Sequence, residues 1–198
     1  MSNGKVMRKT ILLCSLLCLL CTVNLFGGNS VSVKSGDASV FKKASKALLE
    51  IDYSSAKVGG KTLDDYLKER GDDFVRDWPR DKETAASYFK TRFNKKSKGM
   101  QLTTDASSAS YKIVIHVNNL DMGNPASAIV ANAVFGYGIG AKAGGVIMTG
   151  TIDIIDMKTN EVVSVLYIDE VKGDGHPSET IRLGQMYVEL ATDICKLK

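Results

Sequence analysis

Between Tyr111 and Asn118 the chain reads YKIVIHVN. Tyr111, Ile113, Ile115 and Val117 fall on one parity, and Lys112, Val114, His116 and Asn118 on the other. Successive side chains of a strand point to opposite faces, so this spacing predicts a half-buried strand and a sheet covered on at least one side. In ALLEIDYSS, Leu49, Ile51 and Tyr53 alternate with Glu50 and Asp52, which predicts another strand from Ala47. MQLTT, beginning at Met100, is a shorter candidate. Val146 to Ile155 and Val162 to Val171 are rich in β-branched residues, and the DMKTNE between them suits a tight connection, so they read as a hairpin.

Helical spacing marks three further segments. Thr62 caps LDDYLKER, with Asp64 and Asp65 in the first turn, where carboxylates favour the helix dipole. From Asp81 onward Ala85, Ala86, Phe89 and Phe93 form a stripe opposite Lys82, Glu83, Lys90 and Lys95. Between these two, RGDDFVRDWPRD breaks the pattern, and Trp78 before Pro79 is expected to be extended, making this stretch a connection. Ser178 opens a last helix with Leu183, Met186, Tyr187, Leu190 and Ile194 on one side and Arg182, Gln185, Glu189 and Asp193 on the other. Strands are not separated by regular helical crossovers. The expected fold is therefore α+β, a mostly antiparallel sheet of four or five strands with two long amphipathic helices on one face.

The first residues have a different character. Lys5, Arg8 and Lys9 precede an uninterrupted apolar run from Ile11 to Phe26, followed by the small residues Gly27, Gly28 and Ser30. That run is short of the ~20 residues that span a bilayer, and its layout is that of a secretory signal peptide. Residues 1–28 are expected to be cleaved, with 29–45 a flexible tail or edge strand and 46–198 a single α+β domain. Cys14, Cys18 and Cys21 lie in the apolar run, each after a Leu, whereas a lipoprotein is cut before a Cys preceded by a small residue, so lipidation is the second reading of this leader and a soluble start the first. Cleavage leaves Cys195 as the one remaining cysteine, too few for an intrachain disulfide or thiolate cage. It also lowers the formal net charge from +4 to +1, so nothing in the charge asks for nucleic acid.

Residues 126–150, ASAIVANAVFGYGIGAKAGGVIMTG, are uncharged except for Lys142. Their GxGxG lacks the preceding strand and following helix of a dinucleotide loop. Gly136, Gly140 and Gly144 repeat the GxxxG spacing of close helix contacts in lipid, which makes a membrane or self-assembly element the competing reading. A small-residue connector packed over the sheet is the expectation, with peripheral membrane contact through this segment as the alternative.

Catalytic chemistry has few candidates. His116 and His176 are the two histidines, and no GxSxG elbow accompanies either. Asp174, Asp169 and Glu170 lie near His176 in sequence, but their spacing matches no metal-ligand set. Asp64 with Asp65, Asp72 with Asp73, and Asp153 with Asp156 are adjacent carboxylates better explained by helix starts and turns than by a cleft. Arg70, Gly71 and Asp72 spell a short adhesion tripeptide, and Lys95, Lys96 and Lys98 suit the end of a helix. No catalytic, cofactor or metal residue is assigned.

The segments LEIDYSSA, GGKTLDDYL, TRFNKKSKG, YKIVIHV, FGYGIGAKAGG and TGTIDIIDMKTNEVV together resemble small exported envelope proteins of uncharacterised function. In strand order the chain is similar to the α+β module of the curli-secretion lipoprotein and the amino-terminal domain of TolB-type proteins. That resemblance implies a periplasmic or outer-membrane-associated protein without catalytic residues. The functional expectation is a non-enzymatic module that binds another envelope protein or itself. Two alternatives are a small-ligand carrier with a pocket lined by Tyr111, Phe135, Tyr137 and Trp78, and an exported hydrolase using His176 with Asp174. Mass spectrometry of the exported protein is expected to find an unlipidated amino terminus within residues 29–31; a lipidated cysteine or an intact leader would contradict this reading.

Overall fold

Eight strands and four α-helices are present among the described residues of this computed structural model, which are 29–135 and 142–197. In chain order the strands are β1 (Val31–Gly36), β2 (Lys46–Asp52), β3 (Lys57–Val58), β4 (Lys61–Thr62), β5 (Gln101–Leu102), β6 (Tyr111–Asp121), β7 (Ile147–Asp156) and β8 (Glu161–Lys172). The helices are α1 (Leu63–Arg70), α2 (Asp72–Lys96), α3 (Pro125–Phe135) and α4 (Glu179–Ile194). The expected leader, with Cys14, Cys18 and Cys21, and residues 136–141 of the glycine-rich passage lie outside the described residues.

The strands form one mixed sheet in the order β1-β8-β7-β6-β2-β5, with β3 continuing the β2 side of β6 and β4 pairing with β3. This corrects the expectation of four or five mostly antiparallel strands. The hairpin is as expected, β7 with β8 antiparallel, but β2 runs parallel to both β6 and β5. Parallel neighbours need a crossover, and α1 and α2 supply it between β2 and β6. Residues 29–45 take the edge-strand course: β1 pairs antiparallel with β8, and the 3-10 turn Ala38–Lys42 buries Val40 and Phe41.

The alternation in β6 places Ile113, Ile115 and Val117 in the core, while Val114, expected to face outward, is also buried, at 5% exposure, among its neighbours on the opposite face. A bulge between Val117 and Asn119 then inserts one residue and inverts the parity, so Leu120 and Met122 are buried as well. Gly150 faces this bulge. A Cβ there would lie 2.1 Å from the His116 carbonyl oxygen, so only glycine allows the two strands to close here.

Both long helices cover the same face. Leu183, Met186, Tyr187, Leu190 and Ile194 of α4 are buried as the spacing predicts, with Ser178 capping the helix. The expected polar stripe of α4 is corrected at two positions, since Arg182 is 2% and Asp193 7% exposed. The segment around Trp78 is not an extended connection. It belongs to α2, which runs through Pro79. The helix loses one backbone hydrogen bond at Pro79, but Trp78 is buried edge-on against Tyr53, ring centroids 5.4 Å apart. Phe89 stacks on Phe93 at 5.8 Å and meets Tyr187 edge-on at 6.4 Å, and Phe93 meets Phe41 at 6.1 Å. Aromatic side chains thus tie both helices to the sheet.

Phe89 is fully buried at the centre of this layer. Phe89→Ala is expected to lower unfolding free energy by about 3–5 kcal/mol in urea titrations, by lost transfer energy plus an unfilled cavity.

Candidate functional site

The helices leave the opposite face of β2, β6, β7 and β8 bare, and the strand registers place its residues in rows. Asp52, His116, Thr151 and Tyr167 form one row, and Glu50, Val114, Asp153 and Val165 the next. His116 sits between two carboxylates. Its Nδ1 lies 3.2 Å from Asp52 Oδ2 and its Nε2 3.2 Å from Asp153 Oδ2. Lys112 donates to Glu50 at 3.1 Å on the same face. The backbone N–H of Ser54, at 2.8 Å, its hydroxyl and then His116 hold the Asp52 carboxyl below its usual range.

The chemistry of this cluster is restricted by its geometry. Both ring nitrogens of His116 face carboxylates, and none of the described hydrogen bonds joins the ring to a Ser, Thr or Cys side chain. A nucleophile–base pair needs such a contact. The carboxylates lie at opposite ring nitrogens, so one ion cannot bind all three groups, and no set of three His, Cys, Asp or Glu among the described residues could hold a metal. What remains is an electrostatic clamp joining β2, β6 and β7 across an open surface.

Toward β8 this face becomes apolar. Val162 is 51% and Tyr167 43% exposed, with Val163 exposed and Ile155 and Val165 half-buried. At the sheet edge, β1 carries Lys34, a bulge between Val33 and Ser35, and Gly36 at positive φ. Those features discourage indiscriminate strand addition at the β1 edge, leaving the broad face as the larger uncovered surface.

A second polar group lies at the end where β6 finishes. Arg182 Nε donates to the Met122 carbonyl at 3.3 Å, and its Nη1 donates to the carbonyls of His176 at 2.7 Å and Pro177 at 3.0 Å. Burial pushes the guanidinium pKa below its usual range, while Glu179, 3.8 Å away, opposes that. Glu179 also pairs with Arg70 at 2.8 Å, and Arg70 lies over the Phe74 ring at 4.0 Å. These satisfied carbonyls explain why a residue on the expected polar stripe is buried. Beside them is a recess of about 610 Å³ whose walls include Val58, Tyr66 and Met122, with Lys61 and Glu69 paired at 2.6 Å.

The residues singled out from sequence are mostly dispersed. His176 Nδ1 accepts from the Ser178 N–H at 3.0 Å, whereas Asp174 pairs with Lys142 at 3.5 Å, so no His–acid pair joins them among the described contacts. Asp169 and Glu170 are exposed. Asp65 accepts from the Thr62 hydroxyl at 2.7 Å, Asp73 pairs with Arg76 at 2.6 Å, and Asp156 accepts turn N–H groups from Lys158 and Thr159. Burial raises the Cys195 thiol to about 11, which keeps it protonated and unreactive near neutrality. The proposed ligand pocket does not assemble from its described members: Trp78 is packed on Tyr53, and Tyr111 starts the strand whose far end precedes α3. The side chain of Phe135, and Tyr137, lie outside the described residues. The clamp was not singled out from sequence, although Asp52 and His116 each fell on an outward parity; their parallel register was the missing information.

Asp52→Asn tests the clamp. A carboxylate whose folded pKa is depressed stabilises the fold fully above its unfolded pKa of ~3.9 and loses that contribution as pH falls through the folded pKa. The variant is therefore expected to be less stable than the parent at pH 7, with the difference in urea midpoint shrinking as pH falls below ~3.9 and through the lower folded pKa.

No protein-family model and no curated protein matches the chain. Among solved structures it is similar to a PelC dodecamer from Paraburkholderia phytofirmans in space group P6, with 14% identity and a TM-score of 0.41, over 81% of this chain and 96% of that one. A variant PelC dodecamer from the same organism, in space group C2, gives 13% identity and a TM-score of 0.38, over 84% of this chain and 98% of that one. Likeness at this level carries no conclusion about what the chain does.

Proposed function

We propose that the chain is an exported, non-enzymatic module of the cell envelope that acts by pairing its uncovered sheet face with another envelope protein or a second copy of itself. The observation that carries this reading is the division of that face into an apolar half and an ion-paired half. Val162 and Tyr167 offer apolar area to a partner, while Lys112 with Glu50, and His116 with Asp52 and Asp153, are already engaged with one another. The apolar half loses little by desolvation on pairing, and the ion-paired half already has its polar groups engaged. Export is supported by the basic residues Lys5, Arg8 and Lys9 before the apolar run from Ile11. The non-enzymatic part of the reading is supported by the enclosure of both His116 nitrogens and by the separate engagements of His176 and Asp174.

The test is in-cell photo-crosslinking from position 167, paired with light scattering of the purified protein. Adducts or self-association are expected, and Val162→Glu should abolish them. Surface substitutions away from special features change stability by only about ±0.5 kcal/mol, so the loss would report pairing rather than unfolding. A strictly monomeric protein that gives no adduct from position 167 would overturn the reading.

A further inference from the structure

Helix α3 is unused by the reading above. Asn124 starts it, accepting from the Ala126 N–H at 2.9 Å through its side chain and from the Ser127 N–H at 3.1 Å through its carbonyl. Among its described side chains, Ala126, Ser127, Ile129, Val130 and Ala133 are exposed, Ile129 by 57% and Val130 by 61%. With 3.6 residues per turn, these positions spread over roughly half of the helix circumference. From Met122 to Ala141 the sequence has no charged residue. A helix laid in a protein groove or against one copy of itself keeps a polar side for water, and the sequence of α3 carries only Ser127 and Asn132 as polar side chains. The exposed side of α3 is thus apolar and uncharged, a surface that hydrocarbon accepts without desolvating a charge.

The platform beneath α3 is tightly built. Gly123 has a φ of +68°, and a Cβ on it would lie 2.2 Å from the Gly144 carbonyl oxygen; one on Gly145 would lie 1.9 Å from that of Gly173. The two stems of the excursion are therefore pressed together, backbone against backbone. Lys142 fixes the return by donating to the Lys172 carbonyl at 2.9 Å and pairing with Glu189 at 3.3 Å. The chain outside the described residues joins at this end too. Ser30 accepts from the Asp169 N–H at 3.0 Å, and Asp169 precedes Lys172 on β8 by three residues, about 10 Å at ~3.3 Å per residue. The expected mature amino terminus at Asn29 thus lies at the same end of the sheet as the stem of α3.

We propose that α3 embeds in one leaflet of a lipid bilayer, the hydrocarbon of that membrane being its partner. Its 11 residues extend about 16 Å, roughly half of the ~30 Å hydrocarbon thickness. That length is too short to cross, so α3 would lie along the surface of one leaflet, and no helix among the described residues is long and apolar enough to span. The proposal uses no residue of the sheet face, so the two readings fail separately.

The experiment places a fluorescent amino acid, dansylalanine, at Val130 of the exported protein and adds vesicles of equal parts phosphatidylethanolamine and phosphatidylglycerol. The expected result is a blue shift with a several-fold rise in emission, quenched by lipids carrying a nitroxide on the acyl chain. The same probe at Lys158, in the turn at the opposite end of the β7–β8 hairpin, is expected to stay unchanged. Ile129→Glu should weaken the vesicle response at position 130 about tenfold and Ile129→Leu should preserve it. An unshifted probe with vesicles would overturn the proposal. So would a shift that appears without vesicles as protein concentration rises, because a second copy would then cover α3.

Discussion

The hydroxyl of Tyr187 is fully buried, and its partner is the Tyr53 hydroxyl 2.7 Å away. A buried hydroxyl left without a partner costs about 1–3 kcal/mol, so this contact fixes where α4 can sit on the sheet. Burial pushes both phenols well above their usual range, which keeps them protonated and the pair intact over ordinary pH. Tyr53 follows directly on β2, and its ring also meets Trp78 of α2. One residue thereby couples the parallel strand, the crossover helix and the closing helix. Phe89 and Phe93 extend that coupling along α2 toward Phe41.

The arrangement explains the one-sidedness of the molecule. With α2 and α4 drawn to the same face by shared aromatic contacts, nothing in the described chain has to cover the other. The bare face pairs its polar groups locally, through Lys112 with Glu50 and His116 between Asp52 and Asp153. Such exposed pairs contribute little to stability, typically about 0–1 kcal/mol each, but they leave most polar groups of that face with a partner. The apolar residues of β8 are then the part of that face with most to gain from a partner.

Much of this was legible in the residues and some of it was not. The period of Tyr111 to Val117, the β7–β8 hairpin and the apolar stripe of α4 were readable because each depends on local spacing. The helix through Pro79 was not, because Trp78 reaches a distant Tyr53 and that contact outweighs the local preference of the residue before proline. The bulge after Val117 hid the inward direction of Leu120, with Gly150 on the partner strand as its faint trace. Arg182 looked solvent-facing on a helical wheel; its carbonyl partners at Met122, His176 and Pro177 come from loops that only the fold brings together. The clamp required the parallel register of β2 on β6, which a short crossover pattern did not reveal.

The sheet face opposite the helices is proposed to be covered by a partner in the cell and bare in the monomer. Hydroxyl-radical footprinting of Tyr167, compared between intact cells and purified monomer at equal dose, measures this directly, with Met157 at the hairpin turn as an internal reference. The account predicts several-fold protection of Tyr167 in cells with Met157 unchanged. Equal modification of Tyr167 in both settings would contradict it.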